Sequence, residues 1–128
     1  MKKKVNLLSL LFISSLLISC ENSIRPSDLL GNWEAISIFE EGQPLEIDYP
    51  VIRLLVSEDG TYNYTGTLNY KESGRWHIQN EYFITKDTLL PDALEKTVLI
   101  SKLTQDSFEM EMKEGEKERI LVMIKSNF

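Results

Sequence analysis

Histidine and cysteine, the side chains that most often bind metals or act as nucleophiles, occur once each in this chain of 128 residues, as His77 and Cys20. Zinc sites and nucleophilic sites need several such groups held together. His77 lies in an alternating segment on the same side as Arg75 and Gln79 and opposite Trp76, which is typical of an exposed strand residue. We therefore expect no catalytic residue, no metal site and no cofactor, and we interpret the protein as non-enzymatic.

A cluster of acidic residues, Glu40, Glu41, Glu46 and Asp48, is a second polar feature that could do chemistry. Calcium binds such carboxylates, but their spacing does not match a calcium-binding loop, so a solvated acidic surface is the favoured interpretation. Three of the 14 basic residues lie in the first 19 positions, which leaves 11 basic and 20 acidic residues, a net charge of −9, in the rest of the chain. Such a body repels nucleic acid, which we exclude as a partner.

A set of aromatic residues has two interpretations, and the sequence leaves both open. They pack in the core and at the rim of a small β domain, as most such residues do, or they line an open end that binds an apolar or carbohydrate ligand. The candidate ligand or rim residues are Tyr62, Tyr64, Trp76, Tyr82 and Phe108.

The N-terminus has the layout of a secretory signal peptide. Three lysines follow the initial methionine and precede an apolar run from Val5 to Ile18. That run is shorter than the roughly 20 apolar residues of a membrane-spanning helix. We predict that residues 1–19 are cleaved, that residues 20–27 form a short polar tether and that residues 28–128 form a single domain.

The residues around the predicted cleavage site, Leu17-Ile18-Ser19-Cys20, resemble a bacterial lipobox, in which a branched aliphatic and a small residue precede a cysteine. The resemblance implies that Cys20 carries two fatty acyl chains on its sulfur and a third, such as palmitate, on its new amino terminus. Two or more acyl chains anchor a protein stably to a membrane. We therefore expect a lipoprotein of the cell envelope, with the outer membrane preferred and the leaflet left open.

The mature part of the chain consists of short segments in which apolar and polar residues alternate, the pattern of half-buried strands. Turn signals such as Asp59-Gly60 between these segments predict tight hairpins. One helical turn is predicted over Ser27 to Leu30, because Pro26 suits its start and Gly31 its end. The predicted strands are Asn32 to Glu40, Val51 to Ser57, Tyr62 to Asn69, Gly74 to Gln79, Glu81 to Thr85, Lys96 to Leu103, Phe108 to Lys113 and Glu118 to Lys125.

Eight consecutive strands with tight turns predict an all-β fold, an antiparallel meander that forms a small barrel or a strongly curved sheet. The alternation places Trp33 and Phe39 on one side of the first strand, and Tyr62, Tyr64 and Leu68 on one side of the third. Large inward residues of this kind predict a barrel that is mostly filled by its own side chains, with at most a shallow mouth.

Three short motifs stand out in the mature chain: Leu30-Gly31-Asn32-Trp33, Asp59-Gly60-Thr61-Tyr62 and Ser73-Gly74-Arg75-Trp76. They resemble motifs of lipocalins and of the smaller lipocalin-like domains in bacterial lipoproteins. The first is similar to the Gly-x-Trp element, and the other two are similar to a hairpin tip and a second such strand. The resemblance covers residues 27–125. It implies that Trp33 closes one end of the barrel and that a basic residue near the last strand packs over its ring, for which Arg119 is the candidate.

Two functional hypotheses follow from the anchor and the barrel. In the first, a membrane-anchored, non-enzymatic lipocalin-like lipoprotein binds a small apolar molecule or an envelope component at an open barrel end. In the second, the domain is a structural or protein-interaction module with a filled core and no small-molecule ligand. The last strand is apolar on both faces, and Ile36 and Ile38 lie opposite the Trp33 side, which favours an exposed apolar face for a partner.

Overall fold

A computed structural model describes residues 24–127 and shows one antiparallel sheet that closes on itself. Short 3-10 helices precede the first strand and lie in two connections, at Pro26–Leu29, Tyr49–Val51 and Thr67–Asn69. The strands in this range are β1 Gly31–Glu40, β2 Gln43–Pro44, β3 Arg53–Val56, β4 Thr61–Thr65, β5 Lys71–Gln79, β6 Tyr82–Asp87, β7 Lys96–Leu103, β8 Ser107–Glu114 and β9 Lys117–Ser126.

Eight of these strands form the barrel. Each strand from β3 to β9 pairs with its neighbour in sequence, and β1 pairs with both β3 and β9. The two-residue strand β2 only folds back onto the end of β1. The predicted all-β meander is confirmed, and the sheet closes fully. Closure pairs the backbone N–H and C=O groups that the edge strands of an open sheet would leave exposed.

A β-bulge in β1 changes which of its side chains face the interior. The pairing of β1 with β9 shifts just after Ala35. Trp33 and Ala35 are buried, Ile36 is 48% exposed, and Ile38 packs against the core. Because a bulge inserts one extra residue, it reverses the alternation beyond it. The prediction that Phe39 shares the side of Trp33 was therefore wrong.

The turn between β4 and β5 begins earlier than the alternation predicts. Strand β4 ends at Thr65, and the chain then turns through Thr67–Asn69. Leu68 adopts φ 59° and ψ 37°, and 98% of its surface is exposed. Its predicted place on the side of Tyr62 and Tyr64 was wrong, because two-residue alternation holds only while the backbone stays extended.

Four aromatic rings run across the interior of the barrel. The ring of Phe108 lies 5.4 Å from that of Trp33 and 6.2 Å from that of Phe83, measured between centroids. Phe83 in turn lies 6.1 Å from Trp76. Trp33 and Phe108 are fully buried. The two contacts of Phe108 are edge-to-face and that of Trp76 with Phe83 is tilted, and together they fill the interior, as expected for an eight-stranded barrel of this size.

Gly74 allows β5 to approach β6 closely. It pairs with Tyr62 on one neighbouring strand and with Asp87 on the other. A Cβ atom at Gly74 would lie 1.8 Å from the carbonyl oxygen of Lys86, a backbone atom that has no room to move. Glycine is therefore needed here for packing rather than for backbone freedom.

The barrel has two ends, which we name after the residues that define them. The Trp33 end carries the helix Pro26–Leu29 and the connections 57–60, 80–81 and 104–106. The Glu72 end carries the connections 41–42, 45–52, 66–70, 88–95 and 115–116. The described chain enters the barrel at the Trp33 end.

Candidate functional site

The Trp33 end is sealed by apolar packing. Trp33 is fully buried, and its indole Nε1 donates a hydrogen bond to the carbonyl oxygen of Leu29 at 2.9 Å. Leu29 is also fully buried and covers the barrel from the 3-10 helix. The ammonium of Lys125 lies 4.3 Å from the centroid of the Trp33 ring and donates to the carbonyl oxygen of Leu30 at 2.6 Å. The indole N–H of Trp33 is therefore already hydrogen-bonded within the chain and is not available to a ligand at this end.

The cation over Trp33 is Lys125 and not Arg119, so the predicted pairing of Trp33 with Arg119 was wrong. In the β1–β9 register Trp33 lies opposite Lys125, whereas Arg119 lies opposite Glu40. Strands rise by about 3.3 Å per residue, so these two positions are about 20 Å apart along β1. No arginine side chain spans that distance. The motif implied the right type of contact, but only the strand register decides which basic residue makes it.

The Glu72 end contains a buried carboxylate with three hydrogen-bond donors. The side chain of Glu72 is only 6% exposed. Its Oε2 accepts from the hydroxyl of Tyr62 at 2.5 Å, and its Oε1 accepts from the hydroxyl of Tyr70 at 2.6 Å and the ammonium of Lys96 at 2.7 Å. Strand β5 turns Glu72 inward because Glu72 has the same parity as Gly74 and the partly buried Trp76. We call these four residues the Glu72 cluster.

Hydrogen bonding decides the ionisation of this cluster. Burial alone would raise the pKa of Glu72, but hydrogen bonds from Lys96, Tyr62 and Tyr70 outweigh it and hold the pKa below its usual range. Burial and the neighbouring carboxylate raise the pKa of Tyr62, and the hydrogen bond to Glu72 raises that of Tyr70. Burial opposes the charge of Lys96, yet its contact with Glu72 raises its pKa. The cluster therefore holds one negative and one positive charge near neutral pH.

Further polar groups lie at the same end. Thr85 and Asp87 are 9% and 7% exposed, and with Glu72 they are the buried polar residues of the described chain. Glu40 binds Lys117 at 3.1 Å and Arg119 at 3.2 Å across the β1–β9 seam. The hydrogen bond from Lys117 is the main reason that the pKa of Glu40 is lowered. The Glu72 end thus has buried carboxylate and hydroxyl side chains, whereas the side chains that seal the Trp33 end are the apolar Leu29, Trp33 and Phe108.

Exposed aliphatic side chains surround the Glu72 end, and we call them the apolar rim. They come from three connections that meet the barrel there. Leu68 and Leu94 are the most exposed, at 98% and 84%. The members of the apolar rim are Ile47, Val51, Leu68, Leu89, Leu90 and Leu94.

The structure separates the five aromatic residues that the sequence grouped as ligand or rim candidates. Tyr62 and Tyr64 lie at the Glu72 end, where Tyr64 packs edge-on against Tyr70 at 6.0 Å. Phe108 is core at the Trp33 end. The indole of Trp76 donates to the carbonyl oxygen of Ser57 in the Trp33-end hairpin, and Tyr82 is 43% exposed beside the Trp33-end turn. No common site contains all five.

Two other predicted residues have simple outcomes. His77 is exposed on β5, as its flanking residues predicted. Cys20 lies outside the described residues, so its lipidation stays a prediction.

Within residues 24–127, no three His, Cys, Asp or Glu side chains form a group that could hold a metal ion. In the same range no helix has the length and apolar character needed to cross a bilayer.

Sequence reasoning missed Glu72, Tyr70 and Lys96. A signal for Glu72 was available, because extending the alternation of Gly74, Trp76 and Ile78 back by two residues places Glu72 on the inward side. A carboxylate at an inward strand position needs partners. Nothing in the local sequence identifies Lys96, which is separated from Glu72 by two strands and a long connection.

Two surface grooves lie away from the Glu72 end. One, of about 440 Å³, runs along the outer face of β7 and is bordered by Ile24, Glu81 and Leu103. The other, of about 460 Å³, lies between the helix Pro26–Leu29, the β7–β8 turn and Lys125. Neither is lined by an aromatic residue.

Comparison with solved structures decides the fold family. The crystal structure of a lipocalin-like protein from Bacteroides uniformis ATCC 8492 matches 77% of this chain and 99% of its own, with a TM-score of 0.58. The fold is a lipocalin-like barrel. Sequence identity over the match is 12%, so the likeness to that protein concerns the fold alone. No protein-family model and no curated protein sequence matches this chain.

The predicted lipocalin-like fold is thereby confirmed. In this lipocalin-like barrel the Gly31-Asn32-Trp33 element begins β1, and Trp33 is fully buried and hydrogen-bonded to Leu29.

Proposed function

We propose that the protein is a lipid-anchored, non-enzymatic lipocalin-like domain of the cell envelope that binds a small apolar molecule or an envelope component at the Glu72 end. The anchor would be acyl groups on Cys20, held on a membrane, with the outer membrane preferred. The lipobox-like residues before Cys20 support the anchor. The fold and the difference between the two barrel ends support the binding role.

The observation that carries the binding role is the Glu72 cluster. A barrel that serves only as a scaffold is most stable when both ends are packed with apolar side chains, because burying charge costs free energy unless every group finds a partner. Here one end keeps a buried carboxylate together with Tyr70, which is 46% exposed, and Lys96, whose side chain is 59% exposed. Hydroxyl and ammonium groups at a water boundary, next to exposed aliphatic residues, suit a ligand with both polar and apolar parts.

A matched pair of tyrosines tests the binding role. Tyr70 and Tyr82 are exposed to nearly the same degree, 46% and 43%, but they lie at opposite ends of the barrel. In a thermal-shift and native mass spectrometry screen against fatty acids, isoprenoids and envelope extracts, Tyr70→Phe should reduce the shift caused by a ligand. Tyr82→Phe should leave it unchanged. Equal effects of the two substitutions, or no shift with any compound, would count against a site at the Glu72 end.

The anchor has a separate test. Cys20→Ala, or treatment with globomycin, should block maturation and leave the unprocessed chain in the membrane fraction. Mass spectrometry of the wild-type amino terminus should find Cys20 with its acyl chains. Normal processing and release of the Cys20→Ala protein would contradict the lipid anchor and leave the binding role to be judged by the tyrosine pair.

The alternative function is a structural or protein-interaction module. The filled interior favours it, since four rings occupy the space that a large ligand would need. So do the exposed aliphatic side chains of the outer wall, Ile36 at 48% and Ile124 at 38%. A screen in which no small molecule shifts the unfolding temperature, combined with specific capture of one envelope protein, would favour this function over the first.

A further inference from the structure

The connections at the Glu72 end combine exposed apolar residues with negative charge. The apolar rim supplies six exposed aliphatic side chains. The same connections contain no lysine or arginine. Their acidic residues are all exposed and are Glu41, Glu46, Asp48, Asp92, Glu95 and Glu116. The connections at the Trp33 end contain acidic residues too, such as Glu58 and Glu81, but no exposed aliphatic side chain.

Leu68 shows that this surface is kept at a cost to stability. The residue is 98% exposed and lies in the left-handed region at φ 59°. That conformation is unfavourable for a leucine, and glycine or asparagine would fit it better. A polar residue at this turn would serve the fold at least as well. A strained residue that is also exposed indicates a contact with another molecule rather than a contribution to the stability of the fold.

We infer that the Glu72 end docks a protein segment that is apolar on one face and basic on the other. Leucine and isoleucine side chains of the apolar rim bury against the apolar face, and the surrounding carboxylates pair with the basic residues. Among the occupants that an exposed apolar surface can have, charge selects this one. Anionic lipid surfaces and acidic peptides are repelled by the six carboxylates of these connections, because the adjacent Lys96 and Lys117 are already paired with Glu72 and Glu40.

The tether supports the same occupant, in an argument that rests on the lipid anchor of the proposed function. The chain from Cys20 to Pro26 spans at most about 20 Å when fully extended. It enters at the Trp33 end, and a strand of ten residues such as β1, tilted in a barrel, covers about 25 Å of barrel height. A protein anchored at Cys20 therefore cannot point the Glu72 end straight into its own bilayer with the barrel axis along the membrane normal. When the barrel stands upright on its tether, the apolar rim faces away from the membrane, where a partner protein can reach it.

The Glu72 cluster ties together two of the connections that form the rim. Tyr70 follows Leu68 by two residues, and Lys96 follows Leu94 by two residues. Both polar side chains bind Oε1 of Glu72, at 2.6 and 2.7 Å. The buried carboxylate thus holds the ends of the 66–70 and 88–95 connections in a fixed relation, which presents a preorganised surface to the partner.

The test uses the mature lipidated protein, which begins at Cys20, in phosphatidylcholine nanodiscs, with empty discs as the background. The probe is a synthetic 18-residue peptide of leucine and lysine with helical spacing, and binding is measured by fluorescence anisotropy. A leucine–glutamate peptide of the same pattern and a scrambled leucine–lysine peptide are the controls. We expect the patterned leucine–lysine peptide to bind at least about tenfold more tightly than either control, with affinity falling as salt is added.

Matched double variants locate the contact. Leu68→Ser with Leu94→Ser should weaken peptide binding by about tenfold or more, whereas Ile36→Ser with Ile124→Ser on the outer wall should change it less than about twofold. Asp92→Lys with Glu95→Lys should weaken it by about tenfold, and Glu58→Lys with Glu81→Lys, the same charge change at the Trp33 end, should have a much smaller effect. Thermal unfolding checks that each variant remains folded.

Several results would overturn the docking. These are equal binding of the glutamate peptide, equal effects of the rim and wall variants, and absence of binding by any peptide. Two other results would overturn it by showing a different occupant of the apolar rim. Rim-dependent binding to phosphatidylglycerol vesicles would show that the occupant is a lipid surface. Rim-dependent dimers in analytical ultracentrifugation would show that it is a second copy of this chain. If Tyr70→Phe still reduces small-molecule binding while Tyr82→Phe does not, the proposed function stands even when the docking is overturned.

Discussion

The two ends of the barrel differ in what they place at the boundary with water. At the Trp33 end an indole, a phenyl ring and Leu29 pack without exposed surface, and Lys125 caps them. At the Glu72 end a carboxylate, hydroxyls and an ammonium form a hydrogen-bonded cluster inside a rim of exposed aliphatic side chains. The first arrangement maximises burial, and the second leaves groups available to a partner. In the proposed function, stability and binding therefore belong to opposite ends of one small sheet.

The largest effect that this comparison predicts is at the Trp33 end. Trp33→Ala should lower the free energy of unfolding by about 3–5 kcal/mol, because it removes a fully buried indole and leaves a cavity beside Phe108. Urea denaturation followed by circular dichroism measures the loss. Trp76→Ala, at a partly buried ring, is the matched control and should cost less. A loss of only about 0.5 kcal/mol, as for a surface residue, would contradict the role of Trp33 as the seal.

The next largest effect is expected in the Glu72 cluster. Glu72→Ala should cost about 2 kcal/mol, because the buried hydroxyl of Tyr62 loses its acceptor. Tyr62→Phe removes the same hydrogen bond from the other side. If the two residues act as a pair, the double substitution should cost clearly less than the sum of the single ones in a double-mutant cycle. Additive losses would show that the hydrogen bond does not contribute to stability.

The pH dependence of stability should reflect the same cluster. The folded pKa of Glu72 is lowered, so its contribution is fully present above its ordinary value of 4.5 and is lost as the pH falls below it through the folded value. Tyr62 and Lys96 have raised pKa values, so their contributions are present below pH 10.0 and 10.5 and are lost as the pH rises further. Thermal unfolding across this range measures both limits. Glu72→Gln should reduce the loss of stability at low pH. An unchanged dependence of the unfolding temperature on pH would contradict the assignment of that loss to Glu72.

A smaller effect separates Lys125 from Arg119. Lys125→Met should cost about 1 kcal/mol by removing the cation over the Trp33 ring and the hydrogen bond to Leu30. Lys125→Arg should recover part of that loss. The tryptophan fluorescence of the Lys125→Met protein should also change. Arg119→Met should leave the emission of Trp33 unaltered, and a change of equal size would contradict the strand register described here.

The smallest effect is expected at the apolar rim. Leu68→Gly should raise the free energy of unfolding by about 0.5 kcal/mol or leave it unchanged, because relief of the left-handed conformation offsets the greater freedom of glycine in the unfolded chain. Leu94 is similarly exposed but has negative φ, so Leu94→Gly should destabilise slightly. Chemical denaturation of the two variants compares them directly. Equal losses would show that Leu68 is not strained.

Much of the fold could be predicted from the sequence, and the errors have local causes. Alternation and turn residues identified eight strands in the right order, and a short motif identified Trp33 as a sealing residue. Phe39 and Leu68 were assigned to the wrong side or element, because a bulge and a left-handed turn interrupt the two-residue period without a clear sequence signal. Of the candidate site, Tyr62 and Tyr64 were found, while Tyr70, Glu72 and Lys96 were not. Those three become a group only through contacts across strands.

The amino-acid sequence by itself determined the all-β class, the meander order and the acidic body, since each of these depends on residue type and on neighbours within a few positions. The lipid anchor is a prediction from the same kind of local pattern. The tertiary structure alone decided the closure of β1 on β9, the choice of Lys125 over Arg119, and the separation of a packed end from a polar one. Strand register is set by the packing of the whole barrel, so contacts between residues far apart in sequence follow from it and from no shorter pattern.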